Sequence, residues 1–304
     1  MASPDFDRSF DPGYGRGVPV APGVERLTVE NPSAFTFHGT NSYIVGAGSC
    51  VAVIDPGPDS AAHFETLMAV LAGRTVSHIL VSHTHRDHSP LARRLQQETG
   101  ALTVGQGPHR AARPLHEGEI NPFAESADID FVPDIAVADD QTIFGDGFAL
   151  TAFLTPGHCA NHACFALEGS GIVFSADHVM AWATSVVAPP DGAMADYMAS
   201  LERLLARDDK IFFPGHGGPV REPASFMRGL RTHRRMRERA IHERIKAGDR
   251  LISDMVRAIY RDTDVRLHGA AALSVLAHLE DLVEKGVVAT DGPPSLLGTY
   301  RPAA

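Results

Sequence analysis

The chain has 304 residues, of which 44% are apolar, enough for a substantial core in one main domain with a smaller appendage. Its formal net charge of −10 opposes nonspecific attraction to nucleic acid or to anionic membranes, although a local basic face remains compatible with it. No stretch approaches the roughly 20 apolar residues of a membrane span, and the N-terminus lacks the features of a secretory signal, so we expect a soluble, cytoplasmic protein without membrane contact.

The first predicted elements alternate short strands with helices. Residues 1–22, rich in Gly, Pro and Asp, are typical of an N-terminal arm. The strands that follow are predicted at "ERLTVE", "TNSYIVG", "CVAVIDPG", "HILVS" and "ALTVG". Helices are predicted at "SAAHFETLMAVLAG", before "HILVS", and at "PLARRLQQETG", after it.

The middle of the chain contains a segment of weak pattern. Residues 110–138 are rich in Pro and predict a long surface excursion that could border a cleft. Three strands are then predicted at "FALTAFLTPGH", "ACFALE" and "GIVFSADH", followed by an amphipathic helix at "YMASLERLLARD" and a strand at "KIFFPGHGG".

The composition changes after Arg221, where a long basic helix precedes two shorter helices and two short strands. Helices followed by a small hairpin predict a winged-helix-like module over residues 222–304, after a main domain over residues 23–221. The arginines of "RTHRRMRER" fall on more than one helical face. They leave open a solvated helix, a homodimer contact and a nucleic-acid-binding helix.

Seven candidate metal ligands share one feature, which is that each follows a predicted strand. Because strand ends lie side by side in a layered α/β fold, we expect these side chains to meet in one cleft. Imidazole and carboxylate are ligands that Zn²⁺ accepts, and the count suits two ions with one carboxylate left to bridge them. The seven are His83, His85, Asp87, His88, His158, Asp177 and His216.

The spacing within the first cluster is compatible with chelation. His83 and His85 project to the same side of an extended segment and can hold one ion, and Asp87 continues that phase. The adjacent His88 joins them only if the chain begins to turn into the following helix. The three cysteines are scattered and argue against both a disulfide framework and a cysteine-built zinc site.

These motifs resemble those of a known family. "HTHRDH" matches the HxHxDH signature of the metallo-β-lactamase superfamily, and "TPGHCANH", "FSADH" and "FPGHG" follow in that family's order. The resemblance spans residues 24–220 and implies an α+β fold, an αββα sandwich, with residues 23–221 as its catalytic domain. It implies one metal on His83, His85 and His158, a second on Asp87, His88 and His216, and Asp177 as the bridge. Asp55 takes the position of a buried supporting aspartate.

The C-terminal part is similar to the lactamase-beta-like branch of the superfamily. There a hydrolase domain is followed by such a winged-helix-like tail, and some members are endoribonucleases.

The expected activity is that of a dizinc hydrolase, with iron or manganese as alternative metals. A metal-bridging hydroxide would attack a carbonyl ester, thioester or lactone, or a phosphodiester, so the expected partner is a small-molecule acyl substrate or RNA. Asp87 would orient the hydroxide and move a proton, and His162 and His178 would protonate the leaving group or hold the substrate. A non-catalytic, metal-containing nucleic-acid-binding protein is the alternative from another class.

The shape of the cleft should separate the two substrate classes, since a narrow apolar pocket favours an acyl compound and an open basic groove favours RNA. His63, His116 and His268 lack a pattern and are expected to be solvated. Cys159 is expected to serve packing.

Overall fold

The computed structural model describes residues 4–303. Within them, two β-sheets pack face to face, with helices on both outer faces. The space between the sheets is filled by large apolar side chains, among them Tyr43, Ile54, Phe165 and Phe174. The predicted αββα sandwich is therefore confirmed.

The first sheet contains seven strands in sequential order over the described residues. Its first four strands are antiparallel neighbours, and the remaining ones pair in parallel. Helices α1 (Ala61–Leu71) and α2 (Leu91–Thr99) provide the crossovers on its outer face. The strands are β1 (Val18–Ala21), β2 (Val24–Thr28), β3 (Asn41–Val45), β4 (Cys50–Ile54), β5 (Thr75–Leu80), β6 (Leu102–Gly105) and β7 (Ile135–Ala136).

The second sheet has the order β12-β11-β10-β9-β8. Its neighbours are antiparallel except β11 and β12, which are joined through helix α3 (Met194–Leu205) and run parallel. The outer face of this sheet is covered by α3 and by the long helix α4 (Pro223–Lys246). The strands are β8 (Thr142–Gly145), β9 (Phe148–Leu154), β10 (Ala163–Leu167), β11 (Ile172–Ala176) and β12 (Ile211–Pro214).

The C-terminal module contains helices α5 (Ile252–Ile259) and α6 (His268–Glu284) and a hairpin of β13 (Val288–Thr290) with β14 (Tyr300–Pro302). Its own apolar core joins the end of α4 to both helices and to the buried ring of Tyr300. The predicted winged-helix-like module is confirmed. Among residues 4–303 no helix has both the length and the apolar character that crossing a membrane would require.

Two details differ from the sequence-based expectation. Val18–Ala21, the last residues of the predicted arm, pair with β2 and extend the first sheet by one strand. Arg234 of the basic helix is buried, and its guanidinium lies over the ring of Tyr197. None of the three alternatives considered for that helix describes a core arginine, and for the other arginines of the helix they stay predictions.

Candidate metal centre

The seven predicted ligands lie together at one edge of the sandwich, where loops from both sheets meet. His83 to His88 follow β5, His158 follows β9, Asp177 follows β11 and His216 follows β12. Their ligand atoms form overlapping groups in which all atoms lie within 4.8 Å of one another. These groups are His83 with His85 and His158, His83 with His88 and Asp177, and Asp87 with His88 and His216.

The first group places three imidazole nitrogens around one point. His85 Nδ1 lies 3.0 Å from His83 Nε2 and 3.0 Å from His158 Nε2. Donor atoms about 2.0–2.1 Å from a tetrahedral Zn²⁺ are about 3.3 Å apart, so the spacing of these nitrogens fits one ion.

The second group pairs a carboxylate with two imidazoles. Asp87 Oδ2 lies 3.5 Å from His88 Nε2 and 3.3 Å from His216 Nε2. The side chain of Asp87 is 27% exposed, whereas both histidines are buried. Asp87 is therefore the most exposed member of this group.

Asp177 stands between the two groups. Its Oδ2 lies 3.6 Å from His158 Nε2, on the side of the first group. Its Oδ1 lies 3.6 Å from His88 Nε2 and 3.4 Å from His216 Nε2, on the side of the second. One carboxylate thus offers a separate oxygen to each group.

Two of these buried atoms, His88 Nε2 and Asp177 Oδ1, have no hydrogen-bond partner among residues 4–303. Leaving a buried polar atom unpaired costs about 1–3 kcal/mol, and a cation between the two would satisfy both. The residues present therefore fit divalent metal ions.

In His158 and His216, the ring nitrogen that faces away from the cluster is hydrogen-bonded to a backbone carbonyl. His158 Nδ1 donates to the carbonyl of Val186 at 2.6 Å, and His216 Nδ1 donates to that of Gly39 at 3.2 Å. With the proton on Nδ1, Nε2 presents its lone pair to the centre of the cluster.

Charge divides the histidines into two kinds. Burial, followed by the charge of His158, lowers the pKa of His85 to about 3, so this imidazole is neutral and can bind a metal without first losing a proton. Burial also opposes the protonation of His216, but the carboxylates of Asp177 and Asp87 outweigh it and raise the pKa of His216 to about 9. In the second group, the proton on His216 therefore balances the carboxylates, and a bound cation would take the place of that proton.

Asp55 supports the cluster from behind. It is buried at the end of β4 and accepts hydrogen bonds from the backbone N–H of Ser82 at 2.7 Å and from the Ser82 hydroxyl at 2.7 Å. Its Oδ2 also accepts from His88 Nδ1 at 3.0 Å, which turns His88 Nε2 toward Asp87 and Asp177. Asp55 therefore orients a ligand instead of being one.

Asp55→Asn should weaken metal binding about 10- to 100-fold, because the amide loses the charge that aligns His88. Competition with a chromophoric chelator measures this affinity. Asp59→Asn, at an exposed carboxylate nearby, is the matched control and should bind metal like the wild type. Equal affinity in the two variants would show that Asp55 does not orient His88.

His162 and His178 lie behind the ligand cluster. Both side chains are 0% exposed. His162 Nδ1 lies 2.9 Å from the hydroxyl of Thr155, and the His178 ring packs on Tyr197 with 4.7 Å between centroids. Neither residue is among those that line the cavity over the ligands in the described part of the chain.

That cavity has a volume of about 200 Å³. Its floor is formed by the ligands His85, Asp87, His158, Asp177 and His216. Its walls are largely apolar, and within residues 4–303 the lining includes no lysine or arginine. The wall residues include Phe35, Phe123, Met180, Val186 and Ala188. Phe123 comes from the 110–138 excursion, which borders the cleft as its composition suggested.

Asp191 is a cavity residue that the sequence reasoning missed. It is 2% exposed, its Oδ1 accepts from Asn121 at 2.7 Å, and its Oδ2 has no partner in the described structure. A hydrogen bond with Asp191, followed by one with Cys159, raises the pKa of His109 to about 9. Asp191 follows no strand and lies outside the four motifs that contain the predicted ligands, so the search for ligands did not single it out.

The expectation for His63 was wrong. This histidine is 6% exposed, and its Nε2 lies 3.0 Å from the carbonyl of Pro56 and 3.3 Å from the Ser42 hydroxyl. Its place in the first turn of α1 directs it toward the sheet, and burial lowers its pKa to about 4.

Cys159 is buried, as expected for a packing residue.

The sandwich and the residues gathered at its edge define a class of metal-using hydrolases. Residues 35–216 match the metallo-beta-lactamase superfamily, and residues 252–293 match the beta-lactamase associated winged helix domain. The chain therefore belongs to the metallo-β-lactamase superfamily and is a hydrolase of that family, whose members use divalent metals.

Individual relatives cover most of the chain. A protein of Drosophila melanogaster named beta-lactamase-like protein 2 homolog is 29% identical over 293 residues, which are 88% of this chain and 92% of the relative. An atrochrysone carboxyl ACP thioesterase of Paecilomyces divaricatus is 29% identical over 66% of this chain and 57% of its own length. The crystal structure of a beta-lactamase domain protein from Burkholderia ambifaria, 22% identical, covers 99% of this chain and 97% of its own with a TM-score of 0.81, and shares the fold.

Proposed function

We propose that this hydrolase holds two divalent cations, with zinc as the expected metal, and cleaves a small acyl thioester or related carbonyl ester. The observation that carries the proposal is the position of Asp177, with one carboxylate oxygen toward each group of ligands. A carboxylate in this position could neutralise part of the charge of one ion in each group. Iron and manganese accept similar ligands and remain alternatives for the same positions.

Each part of the site has a proposed role. His83, His85 and His158 would hold one ion, and Asp87, His88 and His216 the other, with Asp177 shared. Bound divalent cations supply Lewis acidity and lower the pKa of a water molecule from 15.7 to about 7. Asp87, exposed at the cavity floor, would orient that water and accept its proton. His162 and His178 are buried, and we assign them to support of the ligands, not to protonation of a leaving group.

The cavity favours an acyl substrate over RNA. A space of about 200 Å³ with phenylalanine, methionine and valine on its walls suits an apolar acyl group. A nucleic acid would need cationic groups along its phosphates, and the lining residues of the described chain include no arginine or lysine. The naming of one relative as an ACP thioesterase supports the same substrate class.

Asp87→Ala should lower turnover of an acyl thioester by about a hundredfold or more, since it removes both a metal ligand and the proposed proton acceptor. Release of free thiol from a short acyl thioester measures the rate, and elemental analysis of the wild type should find two ions per chain. Asp146→Ala, in the exposed turn before β9, is the control and should keep the wild-type rate.

Two results would decide against the proposal. Wild-type protein with no bound divalent metal would remove its basis. Cleavage of RNA that is lost in Asp87→Ala, without any thioester turnover, would establish a phosphodiesterase in its place.

A further inference from the structure

A second cavity, of about 330 Å³, lies between the catalytic domain and the winged-helix module. It is lined by Phe6 and Arg8, by residues 182–187 after β11, by α4, by the segment between α5 and α6, and by α6. Its lining contains four basic side chains, and the described residues contribute no aspartate or glutamate to it. The basic residues are Arg8, His233, Arg234 and Arg237.

The lining of this basic cavity also contains buried donors without acceptors. Within residues 4–303, Trp182 Nε1, Arg234 Nε and Arg237 Nε have no hydrogen-bond partner, and neither has His233 Nδ1. An unpaired buried donor is costly, especially one on a charged group. These nitrogens are buried in the cavity wall, so the donors available to a ligand are the other nitrogens of the same side chains.

The guanidinium groups are held in position. Arg234 donates from Nη2 to the carbonyl of Ser185, and Arg237 lies 4.2 Å from the centroid of the Tyr260 ring. Neither arginine forms an ion pair with a carboxylate in the described part of the chain. Two other arginines of α4, Arg231 and Arg235, both pair with Glu202. Arg234 and Arg237 thus carry charges into the cavity wall that no carboxylate of the described residues offsets.

His233 adds a neutral donor to this cationic set. Burial, then the charges of Arg234 and Arg237, lowers its pKa to about 4, so the ring is uncharged near neutral pH. The hydroxyls of Thr184, Thr263 and Ser274 line the same space. An anion with several acceptor oxygens could therefore receive both charged and neutral hydrogen bonds.

We propose that the basic cavity binds the phosphate group of a small phosphorylated molecule. Arginine forks match the oxygens of a phosphate with paired hydrogen bonds, and three guanidinium groups surround this space. A volume of about 330 Å³ is in the range of small-ligand pockets. The inference depends on these residues alone and is independent of the proposed hydrolysis.

The phosphate would lie close to the metal centre. Val186 lines both cavities. Its carbonyl accepts from the ligand His158, and the neighbouring Ser185 carbonyl accepts from Arg234. The two sites therefore share one short stretch of backbone, with the ligand cluster on one side of it and the arginines on the other.

Calorimetric titration of the full chain with inorganic phosphate tests the site. Arg237→Gln should weaken phosphate binding about tenfold or more, because a charged hydrogen-bond donor is lost from an enclosed space. Arg235→Gln is the matched control on the same helix and should bind phosphate like the wild type, since Arg235 is 64% exposed and faces Glu202. Arg8→Gln is a second test variant that should also weaken phosphate binding, and because Arg8 is exposed its replacement should leave the fold intact.

The other arms distinguish the sources of phosphate. Arg237→Gln leaves every proposed metal ligand in place, so loss of phosphate binding in this variant separates the site from phosphate bound directly to metal. A small phosphate monoester should compete with inorganic phosphate. Failure of the wild type to bind phosphate would overturn the proposal. Equal phosphate binding by the wild type, Arg237→Gln and Arg8→Gln would overturn it as well. Binding of a short RNA that requires Arg237, without binding of inorganic phosphate, would overturn it in favour of RNA.

These measurements need no turnover. The proposed hydrolase function can therefore fail or succeed separately, through thioester cleavage and its dependence on Asp87.

Discussion

Asp177→Asn is expected to reduce turnover by about a thousandfold or more and to leave the chain with about one bound metal ion. The asparagine side chain keeps the shape of the aspartate but loses its negative charge. It also replaces one of the two oxygens, which face His158 on one side and His88 and His216 on the other, with an NH₂ group. A second cation would then meet the first without the carboxylate that offsets their mutual repulsion. Initial rates and elemental analysis measure both effects.

Asp208→Asn is the control for this experiment, because its carboxylate is 98% exposed and pairs with the surface residue Lys210. It should match the wild type in rate and in metal content. Two ions per chain together with a wild-type rate in Asp177→Asn would exclude a bridging role for this carboxylate.

Gly157→Ala should lower the free energy of unfolding by about 3 kcal/mol or more. Gly157 has a φ of +138°, a backbone conformation that residues with a side chain rarely adopt. An added Cβ would also lie 2.3 Å from Cα and 2.5 Å from the backbone nitrogen of Tyr197, so α3 or the loop must move. Because His158 is the next residue, metal affinity should fall together with stability. Urea unfolding of the metal-free protein measures the first effect, and chelator competition measures the second.

Gly169→Ala separates the two causes. Gly169 has a φ of +72°, and its added Cβ would have no neighbour within 4 Å. The expected loss is about 1–2 kcal/mol, from the left-handed backbone alone. If Gly157→Ala cost no more than Gly169→Ala, the close approach of α3 would not limit the position of His158.

The secondary structure could be predicted where the local pattern was strong. The runs before His83, His158, Asp177 and His216 are apolar and bounded by turn residues, and each forms a strand. β7 and β8 were not predicted. β7 has two residues, and β8 has the apolar Ile143 and Phe144 side by side, so neither shows the apolar–polar alternation of a longer strand.

The C-terminal module shows a similar limit. Its helices and hairpin follow from helical periodicity and turn signals, which act over a few residues. The surroundings of Arg234 and Arg237 cannot be predicted from such local signals. They depend on the packing of α4 against α3 and α6, which no pattern within "RTHRRMRER" could reveal.

By itself, the sequence determined the candidate ligands, because a metal site needs particular donors at short spacing, and "HTHRDH" displays four of them within six residues. It also determined that His158, Asp177 and His216 each follow a strand, in that order along the chain. Only the tertiary structure decided which oxygen of Asp177 faces which group, that Asp191 enters the cavity, and that His162 and His178 are buried behind the ligands. It also decided that the arginines of α4 enclose a second cavity. The physical reason is that these are contacts between segments far apart in the chain, which are set by how the two sheets and the helices pack and leave no local periodicity in the sequence.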